Sequence, residues 1–366
     1  MKPGNVHLLW RDSSPLRRFR TGVSLHGHTM YSEECLSFLP RCLAGVPVAT
    51  HFLRSRRGRS IDFSRGHWTP PLGPAAAFRL EQKQIANLGL RAMVSITDHD
   101  DIRAGSALQL TADNAEAPVS VEWTVPFGKS ILHHGIHNLA PLSARAWLSA
   151  MQAYTAAPSD ASLAGLLHGM SRLPETLIVL NHPFWLEEGV AESDHRSALT
   201  RFLRNYLPWI HAFELNGTRT RSENAAVVNL AREHGRSLVS GGDRHACEPS
   251  ACINLTNAAS FSEFAAEVRE GLSQVLFMPQ YREPLPLRLM EMCWDVLRPY
   301  PGSAGRERWI DRVFYRGDDG LARSLAEIWQ GETPWPLRIV TGALQALTAA
   351  KPQLAALLQE REEAFL

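Results

Sequence analysis

The sequence predicts an α/β protein built on a mostly parallel sheet or a barrel, and three observations predict it. Short apolar, β-branched runs alternate with helix-like stretches over most of the first 280 of 366 residues, the pattern of βα units. One of the helix-like stretches carries start and stop signals, with Ser222 as expected N-cap and Gly235 as stop. His, Asp and Glu recur directly after the apolar runs, at the strand ends where such folds place their active sites.

The elements follow in order. VSLHGH (23–28) reads as a strand, 75–90 as a helix closing on Gly89, and RAMVSITDHD (91–100) as a strand ending in acid and histidine. APVSVEWTVPF (117–127) and SILHHGIHNLA (130–140) read as strands, and 144–154 as a helix. ETLIVLNHPF (175–184) and WIHAFELNG (209–217) are strands, 222–235 a helix, SLVSGGDRHA (237–246) a strand, and ACINLTNA (251–258) a further candidate. From about residue 281 the stretches 283–297, 319–331 and 336–365 look helical, with Pro and Gly breaks between them. They are expected to form a C-terminal helical region, 281–366, whose apolar spacing suits a cap on the first region or a homo-oligomer contact.

Composition narrows the function. Net charge is +1 and charged residues are 20%, so no global field draws the chain to nucleic acid or a membrane. The N-terminal stretch lacks an apolar signal-type segment, and no run approaches the ~18–20 apolar residues of a membrane span. Five cysteines form no CxxC pair, which argues against a disulfide framework or a Cys-type zinc site and for a cytoplasmic setting.

The potential ligands are His26 and His28, Asp98 and His99, Glu122, His133, His134 and His137, His182, Glu214, and Asp243 and His245. His26 and His28 share one face of a strand, because side chains alternate with period two. A His/Asp/Glu set without cysteine suits Zn, Mn or Fe. It exceeds what one ion needs, so a site of two or three divalent metals is expected, with a bridging carboxylate. No Ser-His-Asp arrangement stands out.

The order SLHGHTMYS, SITDHDD, EWT, LHHG, NHP and GGDRH over residues 22 to 256 resembles the polymerase and histidinol phosphatase (PHP) superfamily of metal-dependent phosphoesterases. The resemblance implies a distorted (β/α)7 TIM-like barrel over residues 1–280, carrying up to three metal ions and hydrolysing phosphate esters. It implies a first metal on His26, His28, Glu122 and Asp243. A second would be bridged by Glu122 and completed by His133 and His182, and a third held by Glu33, His99 and His245. His133 and His137 share strand parity, and the spacing from Glu122 favours His133.

The chemistry so implied is attack by a hydroxide bridging two ions on a small phosphomonoester, with Asp243 or His245 assisting proton transfer. Glu214 and Asn216 are read as supporting or substrate-contacting groups, and Asp98 as a ligand or a partner of one. The insert 51–74 carries Arg54, Arg56, Arg57, Arg59 and Arg65, and reads either as a lid selecting an anion or as a solvated basic loop. Arg57, Arg65 and Arg244 are the expected substrate contacts; Arg219 is a further arginine able to reach an anion. Competing readings are a nuclease or nucleotide phosphodiesterase, which would want a long basic groove, and a catalytically silent scaffold, which would want lost ligands.

Overall fold

A computed structural model describes residues 5–36, 62–111 and 114–357, a mixed α/β arrangement. Its strands are β1 (Asn5–Leu8), β2 (Thr21–Ser24), β3 (Glu34–Cys35), β4 (Gly66–Trp68), β5 (Arg91–Val94), β6 (Val119–Phe127) and β7 (Ser130–Leu139). They continue with β8 (Leu177–Asn181), β9 (Ala212–Asn216), β10 (Ser237–Gly241), β11 (Cys252–Thr256), β12 (Gln274–Phe277), β13 (Val313–Arg316) and β14 (Ala322–Ser324). One five-stranded sheet has the order β1-β12-β11-β2-β5 and a second the order β10-β9-β8-β7-β6.

The expected barrel is met only as this mixed pair of sheets. β1–β12, β2–β5, β8–β9 and β9–β10 pair in parallel. The β6–β7 hairpin, β7–β8, β11–β12 and β11–β2 are antiparallel. Strands 117–127 and 130–140 are too close in sequence for a crossover helix, so they fold back as a hairpin. The two sheets approach each other at the strand ends. Gly27 bridges Arg244 and His99 bridges Glu122, and the Gly242 N–H donates to the Leu25 carbonyl at 2.9 Å.

Burial explains the long apolar runs. β8, β9 and β10 are buried at every position, as parallel strands covered on both faces should be. Trp123, Phe202, Phe213 and Phe277 anchor the main core. The helix Arg221–His234 starts two residues earlier than Ser222 implies. Thr220 is its N-cap, in a reciprocal capping box with Glu223, and Gly235 ends it at φ 58°. The helix Pro74–Asn87 turns Ala77, Phe78, Glu81 and Ile85 inward, so its apolar stripe includes one carboxylate.

The segment beyond 281 is not all helical. Helices Leu285–Leu297, Trp335–Ala349 and Lys351–Leu357 are present, but β13 and β14 form a hairpin between them. That hairpin extends a four-stranded sheet, order β14-β13-β4-β3. It joins residues 313–316 to 66–68 and, through them, to Glu34. Among the described residues no helix is long and apolar enough to cross a membrane.

Candidate metal centre

Three strand ends bend sharply where the site begins. His26 after β2, His182 after β8 and Asp243 after β10 have φ of 60°, 26° and 46°. Positive φ is costly for residues with a Cβ and persists only where surroundings hold it. Here the bends bring three ligand-type side chains off their strands into one buried space.

Glu122, fully buried on β6, lies at the centre. Its Oε2 is 2.9 Å from His26 Nε2, 3.3 Å from His28 Nε2 and 3.4 Å from His99 Nδ1. Its Oε1 is 3.2 Å from His182 Nε2, 4.0 Å from His133 Nδ1, and accepts from Asn181 Nδ2 at 2.9 Å. Asp243 Oδ1 lies 3.6 Å from both His26 Nε2 and His28 Nε2. Glu34 faces His245 Nε2 at 3.2 Å and His99 Nε2 at 3.5 Å. His28 stacks on His245 with ring centroids 4.1 Å apart.

Three groups therefore converge with donor atoms within 4.8 Å of one another: His26, Glu122 and His182; His26, His28 and Asp243; and His28, Glu34, His99 and His245. The residues fit divalent cations. Among the described residues His28 Nε2 is buried without a hydrogen-bond partner although carboxylates flank it, and a buried unpaired nitrogen needs such an explanation. The donors are all nitrogen and oxygen.

Protonation states favour the same use. Burial opposes ionisation of Glu122, but His26 and His99 hold its carboxyl well below the usual range. Burial is likewise outweighed at Asp243 by Arg219, and at Glu34 by His245. Burial pushes His28 down to about 3 and also lowers His133. Despite burial, Glu34 raises His245 to about 9, and Glu122 and Glu214 raise His26. Ionised carboxylates crowd imidazoles that would lose their protons to a cation.

Supporting contacts orient these groups. Glu214 pairs with His26 Nδ1 at 2.6 Å, which leaves Nε2 facing the cluster. Asp98 accepts from the Thr29 N–H and hydroxyl and is pushed up by burial to about 7. Asp243 Oδ2 accepts from Arg219 Nη2 at 2.9 Å, and the Arg219 guanidinium lies 3.9 Å over the Trp185 ring. His245 Nδ1 contacts the Asp243 carbonyl at 3.0 Å, so only Nε2 is left for a ligand or a proton, not both.

Other expected positions differ. Glu33 is 67% exposed and, among the described residues, reaches only His67, at 4.0 Å; its neighbour Glu34 enters the cluster instead. No strand runs from His28 to Glu34, because a turn closed by the Ser32 N–H on the Thr29 carbonyl separates them; Ser32, which bonds both His28 and Glu34, ties Glu34 into the cluster. Arg244 is not at a substrate surface: it is 4% exposed and paired with Glu81 at 3.1 Å. Arg65 points away, to Asp318 at 2.7 Å and the Arg316 carbonyl, as its place beside β13 requires. Arg54, Arg56, Arg57 and Arg59 lie outside the described residues, as does the part of the expected lid before residue 62. His137 bonds Ser95 at 2.8 Å, whereas His133 faces Glu122 and His182. His134 packs on Trp123 and Phe202 in the core.

No family model matches this chain, and no curated protein matches it. Three solved structures share partial likeness. PsfC from Pseudomonas syringae PB-5123 is 14% identical, with TM-score 0.42, over 76% of this chain and 98% of that one. A protein described as a candidate metal-dependent phosphoesterase from Bifidobacterium adolescentis is 11% identical, with TM-score 0.40, over 68% and 96%. An amidohydrolase from Chromobacterium violaceum is 15% identical, with TM-score 0.36, over 74% and 96%. At these values the likenesses carry no argument about this chain.

Proposed function

We propose that the chain is a metal-dependent phosphoesterase acting on a small phosphomonoester, on a PHP-like distorted barrel formed by the two five-stranded sheets. The observation that carries the reading is Glu122, a buried carboxylate with four imidazole nitrogens within 3.4 Å of its oxygens. His26, His28, Glu122, Asp243, His182, His133, Glu34, His99 and His245 would hold two to three ions of Zn, Mn or Fe. Bound there, divalent cations would neutralise phosphate oxygens, lower the pKa of water and stabilise the leaving oxygen.

The chain's own residues do the rest. Glu214 holds the His26 ring so that Nε2 faces inward. Asp98 anchors the Thr29 backbone behind His28. Arg219 keeps Asp243 in place with Nη2, and its guanidinium, beside the cluster, would meet an anionic substrate. Trp185 holds the guanidinium plane from below.

Metal content by elemental analysis, with hydrolysis of p-nitrophenyl phosphate and its bis-ester with and without Mn or Zn, tests the proposal. Two to three equivalents and metal-dependent monoester cleavage are expected. No metal after reconstitution would sink it, and preference for the bis-ester would replace the monoesterase reading with a phosphodiesterase.

A further inference from the structure

We propose that Glu81 and Arg244 form a buried clamp that positions the two ligand-bearing loops, 26–28 and 243–245, and thereby sets metal affinity. The inference rests on the metal-centre reading above but concerns residues that touch none of the cluster's donor atoms.

Glu81 is 3% exposed on the inward stripe of the helix Pro74–Asn87. Five donor contacts surround its carboxylate. Oε1 accepts from Arg244 Nε at 3.1 Å, the Ser250 N–H at 3.0 Å and the Ser250 hydroxyl at 3.2 Å. Oε2 accepts from the Ser24 hydroxyl at 3.0 Å and the Ser250 N–H at 3.2 Å. A buried carboxylate is retained without a stability penalty only when its lone pairs are filled in this way. Ser24 ends β2, two residues before His26, and Ser250 closes the loop that begins at Gly242.

Arg244 distributes that anchor. Nη2 donates to the His28 carbonyl at 3.3 Å and Nη1 to the Ala246 carbonyl at 2.8 Å. Its own carbonyl accepts from the His28 N–H at 2.8 Å. The guanidinium packs on Gly27: a Cβ there would sit 3.3 Å from Nη2. Asp243 and His245 flank Arg244 in sequence, and His26 and His28 flank Gly27. One planar fork thus locks four cluster side chains in register. A lysine ammonium would keep the charge opposite Glu81 but not the two carbonyl bonds at fixed angles.

The test compares wild type, Arg244→Lys, and the double variant Glu81→Met with Arg244→Leu, which removes the pair together and leaves no lone buried charge. Mn2+ and Zn2+ affinities are measured by calorimetry on metal-stripped protein, cooperative unfolding by circular dichroism, and ligand geometry by the visible absorption of the Co2+-loaded chain. Both variants are expected to fold, to bind metal about 10–100-fold more weakly, and to shift the Co2+ bands. Arg244→Lys binding within twofold of wild type with an unchanged Co2+ spectrum overturns the clamp, whether or not the double variant folds. A wild-type chain that binds no metal overturns the metal-centre reading, and the clamp with it.

Discussion

Two parts of the cluster are built differently. His26, Glu122 and His182 are buried: Glu122 is on β6, a nine-residue strand at the end of its sheet paired along its length with β7, and His26 and His182 lie just beyond β2 and β8, which have neighbours on both sides. The group of Glu34, His99 and His245 has side chains 12–20% exposed. Its carboxylate sits on β3, a two-residue strand paired to β4, which is itself held by β13 from a hairpin some 250 residues away. A ligand on or beside a long, fully paired strand inherits its order from neighbouring hydrogen bonds. A ligand on a short edge strand inherits it from whatever covers that edge, so it opens locally at lower free energy.

The largest effect belongs to the interior group. Glu122→Gln removes the shared carboxylate and is expected to lower metal-dependent kcat/KM by about 10^3-fold, or ~4 kcal/mol. Metal content should fall with it while the circular dichroism spectrum is retained. Turnover within tenfold of wild type would break the comparison, since the interior group would then not be the reacting one.

A smaller effect is expected at the edge. Glu34→Gln should weaken binding of one equivalent of metal by about 10–100-fold, leaving the others. Glu33→Gln should change neither stoichiometry nor rate, because its carboxylate faces solvent. Titration of stripped protein separates the two. Equal loss from both variants would mean that β3 does not hold its register in solution.

The smallest effect sharpens the role of the interior sheet away from the ligands. His211 Nδ1 accepts from the Ile178 N–H at 2.9 Å, and burial, then Arg269 and Arg236, push it down to about 3. The folded chain keeps it neutral, whereas the unfolded chain protonates it below about 6.5. Stability therefore falls as pH drops from about 6.5 toward 3, by at most ~1.4 kcal/mol per pH unit for this residue. His211→Asn keeps an acceptor without the titration. Its melting temperature relative to wild type should rise between pH 7 and pH 5; a constant difference would show that His211 is not held neutral.

Local chemistry made much of the site readable. Each of GHT, TDHD, EWT, NHP and GGDRH combines an apolar strand with the ligand-type residue that follows it, so strand and ligand are legible together. Arg219 and Glu214 were legible as polar groups at a strand end, though not their partners. Glu33 was implied only by the resemblance; the two adjacent glutamates are the same residue type, and only the turn at 29–32 and the Ser32 contacts decide that Glu34 faces the cluster. Arg244 was misread because an arginine beside an aspartate and a histidine looks like an anion contact, and its true partner, Glu81, is 163 positions away.

The amino-acid order by itself determined the alternation of strands and helices, the buried character of β8 to β10, and the collection of nitrogen and oxygen donors at strand ends. These depend on side-chain periodicity and residue type within a few positions. Tertiary structure alone decided the antiparallel pairings of β11 and of β7 with β8, the hairpin that braces Glu34, and the Glu81–Arg244 clamp. Those depend on which distant segments meet, and there the need to satisfy every buried charge and backbone group selects the partner.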